Sequence, residues 1–440
     1  MRNRVLSKAS LLAIGLSLTG VACSSSSSSD QTGSGGQGQT VSAVQLYSWW
    51  NAPGEADALQ ALVDAYKNAY SNASVDDSGQ KSGADSRANL DTAFTAGAFP
   101  DVFQLNSQDL GPFVTAHAGQ VGQLDALFAD PTVKAAFLPE VLKAVTVDGH
   151  IRAVPIDVPR ESAFFYNTTL FAANGITPPS SVDELMAACA KLKKAGVTPI
   201  AAATGMSNGW IVRELFNGIL QGTMGSAVFK DFITGSKAVT DPEISAPLQA
   251  AIATLGTILT EYINDDSASQ LPSGNTFGWT DAADAVHDGK AAIFIHGDWV
   301  KGYWTAHFGW TPGVDFGETG APGAADLFSY GVDVLGMPAT PPNPTPAKNF
   351  LTVAASAAGQ IEFARFKGSP PARIDVGDQL DVLAKAALTD LVNANVRVPV
   401  VAPGAWDTAL AVFSTTPCAA ADQDTLYQAF VANPPATMAL

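Results

Sequence analysis

The residue types best suited to chemistry stand at the ends of apolar runs. Leu46-Tyr-Ser-Trp-Trp-Asn51 closes an alternating segment with two adjacent indoles, Trp49 and Trp50, and Glu55 follows soon after. Pro100-Asp-Val-Phe-Gln-Leu-Asn106 ends with Gln104 and Asn106, which lie on the same side of an extended chain. Lys290-Ala-Ala-Ile-Phe-Ile-His296 runs directly into Asp298 and Trp299, while Trp210, Trp279, Lys367 and Arg373 stand singly. Indoles offer flat, rigid contact area at low entropic cost. Carboxylates, amides and cations bond hydroxyl groups, the charged ones more strongly. Together they suit a molecule with apolar C–H faces and a hydroxyl rim.

Each residue also has a plainer reading. Trp49 and Trp50, if still in a strand, point to opposite faces, so one of them packs inward. Core or surface packing serves Trp210 and Trp279 equally well. Asp298 can cap a following helix, and Glu55 can be an acid at a helix start. Gln104 and Asn106 can be turn residues, and Lys367 and Arg373 can lie on a solvated face.

Hydrolytic chemistry has weaker signals. Gly205-Met-Ser-Asn-Gly209 has the Gly-x-Ser-x-Gly form, with Ser207 between a strand and a helical segment at Trp210–Leu220, and His287, His296 and His307 come later. That pattern fixes only three positions in a chain rich in Gly and Ser. Glycoside hydrolysis needs two carboxylates at a set separation, and nothing pairs the many acids present. No Cys or His falls at metal-ligand spacing, so neither a metal nor a cofactor is expected. The expectation is a binding protein, not an enzyme.

The elements that must hold these residues alternate between strand and helix. Val41–Tyr47, Pro100–Leu105, Ser162–Tyr166, Pro199–Ala203, Lys290–His296 and Phe328–Leu335 read as strands. Ala56–Tyr70, Arg87–Ala96, Ser181–Ala195, Ala282–Asp288 and Ala347–Lys367 read as helices, with shorter helical pieces at Ala409–Phe413 and Leu426–Val431. Ser181 and Glu184 form a capping box and Gly196 a C-cap. Pro338–Pro346 is a Pro-rich loop. This rhythm predicts an α/β fold with parallel sheets faced by helices, in more than one lobe for 440 residues. Ligands bind such sheets beyond the carboxyl ends of the strands, where the candidate residues stand.

The chain begins with a targeting pattern. Arg2, Arg4 and Lys8 precede the apolar stretch Leu11–Leu18, too short to remain in a bilayer as a helix. Leu18-Thr-Gly-Val-Ala-Cys23 resembles a lipobox, which makes Cys23 the expected lipidation site; Gly20 stands where Leu is usual. Residues 24–40 are almost all Ser, Gly, Gln and Thr, a flexible tether with a reach of roughly 20–25 Å. Cys189 and Cys418 remain, as a disulfide or as two buried thiols. The net charge of −17 argues against nucleic acid and against anionic lipid headgroups as partners.

Five blocks, in order, resemble the family 1 extracellular solute-binding proteins of carbohydrate ABC transporters, particularly the glucose/mannose-binding type. They are Leu46–Asn51, Phe99–Asn106, Phe165–Phe171 with Gly175–Pro179 and the Val182-Asp-Glu-Leu helix, Asp288–Trp299, and Lys367–Arg373. The resemblance implies a two-lobe fold with a hinge and an interlobe ligand cleft. Lobe one would take 41–153 and 325–370, and lobe two 154–324 and 371–440. It implies a ligand-binding acid at Asp298, and a site drawn from Trp49, Trp50, Glu55, Gln104, Asn106, Trp210, Trp279, Asp298, Trp299, Lys367 and Arg373. In that family a His often stands at the position of Asn106, which leaves the sugar's identity open. It further implies an envelope lipoprotein, a monomer, that delivers a carbohydrate to an ABC permease. The carbohydrate would be glucose or a similar monosaccharide, with an oligosaccharide or polyol as the alternative.

Overall fold

Short apolar strands that must bury both faces, separated by amphipathic helices, build two α/β layers in this chain. The computed structural model describes residues 43–78, 83–203, 209–263, 278–380, 382–400, 404–415 and 419–435. Cys23, the tether to Thr40, Ser207 and Cys418 lie outside the described residues. The strands are β1 (Val44–Tyr47), β2 (Val75–Asp77), β3 (Val102–Asn106), β4 (Thr146–Val147), β5 (His150–Ile151), β6 (Ala153–Asp157), β7 (Ala163–Asn167), β8 (Thr198–Ala201), β9 (Ala291–His296), β10 (Phe316–Thr319), β11 (Leu327–Tyr330), β12 (Asp333–Gly336) and β13 (Val396–Pro399).

Two sheets organise the lobes, one in the order β2-β1-β3-β12-β6 and the other β10-β7-β9-β8. Neither is wholly parallel: β12 runs antiparallel to both β3 and β6, and β7 runs antiparallel to β9. Strand–helix–strand rhythm reports only neighbours joined by one crossover, so it misses strands that arrive from distant sequence.

Helix faces cover the sheets. The helix Glu55–Ala69 buries Ala58, Leu59, Leu62, Val63 and Tyr66 at helical spacing against the first sheet's core. In the other lobe the helix Val182–Lys194 starts at Ser181, whose hydroxyl accepts the Glu184 N–H, and buries Leu185, Ala188, Cys189 and Leu192 in the second core. Cys189 is a free, buried thiol.

The first core extends through Val158 and resumes from Phe328 through Leu391, while the second takes Leu327 and then Val398 to Phe430. Relative to the division read from sequence, the first core therefore keeps all of β6 and also Ala372, Leu388 and Leu391. The chain passes between cores three times: after Val158, around the β11 and β13 pair, and between Leu391 and Val398. Beside these passages the lobes meet backbone to backbone. A Cβ added to Gly54 would come within 2.5 Å of the Gly302 carbonyl carbon, and one on Gly302 within 2.3 Å of the Phe366 carbonyl oxygen. Gly54 also has φ +81°, so glycine is required there twice over.

Two strand and helix expectations change. Phe328–Leu335 is two strands, β11 and β12, which join different sheets on either side of Gly331 and Val332. Ala347–Lys367 is two helices, Pro344–Ala354 and Ala357–Lys367, because the Ser356 hydroxyl starts a new helix by accepting the Gly359 N–H. The helix Pro242–Glu261, with Asp241 as N-cap and Pro at its first position, adds to the expected elements.

Candidate functional site

At the carboxyl end of β1 the chain leaves the sheet, and Gln104 of β3 holds the departing segment. Its Oε1 accepts from the Ser48 hydroxyl at 2.9 Å and from the Trp49 N–H at 3.0 Å. Gln104 is buried, and through this oxygen it positions Trp49. Trp49 is half-buried. Trp50 takes the inward place, packed on Phe363 with ring centroids 4.7 Å apart. The pair thus divides as alternation along a strand predicts.

Next to this segment, sheet register assembles a row of polar groups. Asn106, Asp333 and Asp157 lie side by side across β3, β12 and β6. The Asn106 amide donates to Asp333 Oδ1 at 2.7 Å. Lys367 Nζ stands 2.8 Å from Glu55 Oε1 and 3.7 Å from Asp333 Oδ2. Burial pushes the carboxyls of Glu55, Asp157 and Asp333 upward, and the Lys367 ammonium opposes that rise in all three. Lys367 itself is buried, and although desolvation disfavours its charge, the three carboxylates hold it charged.

The second lobe meets this row through Asp298 and Trp299. Asp298 does not cap the helix Val300–Phe308; its Oδ1 accepts from the Ser369 hydroxyl at 2.7 Å, across the lobes. Among the described residues its Oδ2 has no hydrogen-bond partner, with Lys301 Nζ 4.0 Å away and engaged with Glu318 at 3.0 Å. Burial raises the Asp298 carboxyl to about 6 against the pull of Lys301. Trp299 presents its ring to Lys367 Nζ at 5.6 Å. Trp210, Trp279 and Trp299 each stand where a helix starts, and all three surround His296 at the end of β9.

A further charged group lies where the chain first passes between lobes. Arg213 pairs with Glu214 at 3.2 Å and Asp407 at 2.8 Å, and the Ser162 hydroxyl donates to Glu214 at 3.1 Å. Glu161 stands beside Glu214, and burial together with that neighbour holds its carboxyl well above the usual range.

The structure therefore brings Trp50, Glu55, Asn106, Trp299 and Lys367 together, holds Asp298 next to them through Ser369, ties Trp49 to Gln104 through its backbone, and sets Trp210 and Trp279 around His296. Arg373 stays apart. Its guanidinium bonds Asp375, donates to the Ala355 carbonyl and lies over Phe137, so it ties the first lobe together. Asp157, Asp333, Ser369, Lys301 and His296 were not among the expected site residues. Ser369 and His296 sit within the recognised blocks; Asp333 and Asp157 gain their place only through strand register.

Two α/β lobes whose facing strand ends carry indoles, carboxyls and a buried ammonium define a two-lobe solute-binding protein, and such proteins are not enzymes. Residues 52–361 match the family described as Bacterial extracellular solute-binding protein. The chain is 30% identical over 405 residues to an uncharacterized ABC transporter extracellular-binding protein of Pyrococcus horikoshii, covering 90% of this chain and 87% of that one. It is 28% identical over 366 residues to the xylose/arabinose-binding protein XacG of Haloferax volcanii, covering 82% and 76% of the two chains. In fold it is similar to the Thermus thermophilus maltotriose binding protein, with a TM-score of 0.66 and 16% identity over 88% of this chain and 98% of that one. The chain belongs to the bacterial extracellular solute-binding proteins.

Proposed function

We propose that this protein is the sugar receptor of an ABC importer: it captures a monosaccharide such as glucose between its lobes and releases it unaltered to a membrane permease. The observation that carries this reading is the approach of Lys367 and Ser369 from one lobe to Trp299 and Asp298 from the other, beside the Asn106–Asp333 row. Indole faces cover the apolar side of a pyranose, and Asp298 Oδ2 accepts a hydroxyl hydrogen. Lys367 stands against Glu55 and Asp333 and opposes the rise that burial imposes on both carboxyls. Relatives named for binding xylose and arabinose, for binding sugar, and for binding glucose support a carbohydrate as the ligand class.

The lobes, divided as the two cores are, rotate about the passages between them and exclude water from the ligand. Lipid on Cys23 and the Ser/Gly-rich tether hold the receptor beside the membrane that carries its permease. Thermal-shift screening against monosaccharides, disaccharides and polyols tests the reading. A sugar at a thousand times its Kd stabilises the chain by about 4 kcal/mol. The best stabiliser is expected to be a monosaccharide recovered chemically unchanged. A shift only with longer oligosaccharides or polyols changes the ligand; no shift with any of them, or a consumed ligand, overturns the proposal.

A further inference from the structure

His296 is the one histidine of the second sheet, it ends β9, and it has no solvent exposure. Four aromatic rings lie around it. Phe294, two residues earlier on the same strand face, lies parallel to it at 4.8 Å. Trp279 is also nearly parallel, at 5.8 Å and 26°, while Trp210 and Trp299 stand at 5.2 Å, inclined by 42° and 77°. The three tryptophans are only half-buried, and one of them, Trp299, lies 5.6 Å from Lys367 Nζ of the candidate site.

Among the described residues, neither ring nitrogen of His296 has a hydrogen-bond partner. Packing alone does not account for this. A phenylalanine would fill the same place beside Phe294 without burying two unpaired polar atoms, which costs free energy in any fold. The ring is also neutral, because burial and the nearby Arg213 hold its pKa down to about 3. A neutral imidazole presents one N–H donor and one bare acceptor. A hydroxyl group is complementary to either nitrogen, being donor and acceptor at once.

A hydroxymethyl arm is the slenderest hydroxyl-bearing part of a hexose, and it can meet one buried nitrogen without the sugar ring itself approaching the imidazole. We propose that His296 is a specificity-determining residue of the ligand site, which hydrogen-bonds the hydroxymethyl group of a hexose and so separates hexoses from the matching pentoses. This inference rests on the sugar-receptor reading.

Calorimetry with three hexose–pentose pairs tests it: glucose with xylose, mannose with lyxose, and galactose with arabinose. The unaltered protein is expected to favour the hexose of its preferred pair. His296→Phe keeps an aromatic ring of similar shape and removes both polar atoms. It is expected to weaken the hexose roughly tenfold, as loss of a buried hydrogen bond does, and to leave the pentose unchanged. His296→Gln, which keeps a donor and an acceptor, should retain part of the preference and serves if the Phe variant does not fold. Equal losses for hexose and pentose would assign His296 to packing and overturn the inference, as would unchanged affinity for both. Preference for a pentose in the unaltered protein would overturn it while leaving the receptor reading standing. Failure of the unaltered protein to bind any sugar would remove the receptor reading first, and this inference with it.

Discussion

Asp298→Asn exchanges a charged oxygen for an amide of the same shape, so packing is preserved and the effect is electrostatic. In the folded chain the carboxyl titrates at about 6, against an ordinary 3.8. A gap of about two pH units corresponds to about 3 kcal/mol. The folded state holds the proton more tightly than the unfolded state. Its contribution is therefore fully present below 3.8 and is lost as pH rises through about 6, so at pH 7 the chain bears the whole penalty. Asparagine carries no such penalty and still accepts the Ser369 hydroxyl. It does weaken the environment of Lys301, which keeps Glu318 at 3.0 Å. The expected gain is thus about 1–3 kcal/mol at pH 7 and nothing below pH 4, or a rise of several degrees in Tm. Urea unfolding of both proteins from pH 4 to 8 measures it. An offset that does not change with pH, or a variant less stable than the parent at pH 7, would refute the electrostatic account. The same substitution should weaken sugar binding by roughly ten- to a hundredfold, since hydrogen bonds to charged groups contribute about 1.5–3 kcal/mol. Stability gained with affinity lost is the signature of a group held in an unfavourable setting for a ligand.

Other substitutions probe what holds the site. Lys367→Ala leaves Glu55 and Asp333 buried without their cation and should cost about 3–5 kcal/mol in urea unfolding, with the deficit shrinking at acid pH as those carboxyls protonate. Gly302→Ala has nowhere to put a methyl against the Phe366 and Lys367 carbonyls; it should lower Tm by a few degrees, consistent with an overpacking cost of about 1–3 kcal/mol, despite alanine's better helix propensity. Cys189→Ser should leave the reactivity of the folded protein toward Ellman's reagent at pH 8 unchanged, because burial lifts the Cys189 thiol to about 12.

What was legible in the chain follows from how local each signal is. β1, β3 and β9 were readable because apolar runs or alternation with a polar end need no knowledge of the partner strand, and Ser181 announced its helix through three residues of capping. The strand around Phe164 was placed one residue early. Ser162 looks like its first member, but its φ of +63° sets it in the turn that enters the second lobe. The run 328–335 carries the same apolar composition throughout, and only long-range pairing divides it between β11 with β13 and β12 with β3 and β6.

The site divides in the same way. Trp49, Asp298 and Trp299 follow strands, and a strand end is a local feature. Asp333 lies inside an apolar segment and gives no sign of itself until antiparallel register sets it between Asn106 and Asp157. Two acids side by side in a buried row weaken a fold unless something offsets them, and Lys367 offsets them only in part. His296, with two unpaired nitrogens, and Asp298, with one unpaired oxygen, repeat the pattern across the cleft. A chain able to place an apolar residue at each position, yet carrying polar ones there, is consistent with stability given up for recognition. The test of that consistency is additive: if these groups are strained for one shared ligand, Asp298→Asn and His296→Phe should each stabilise the empty protein, and the ligand should restore the parent's advantage over both.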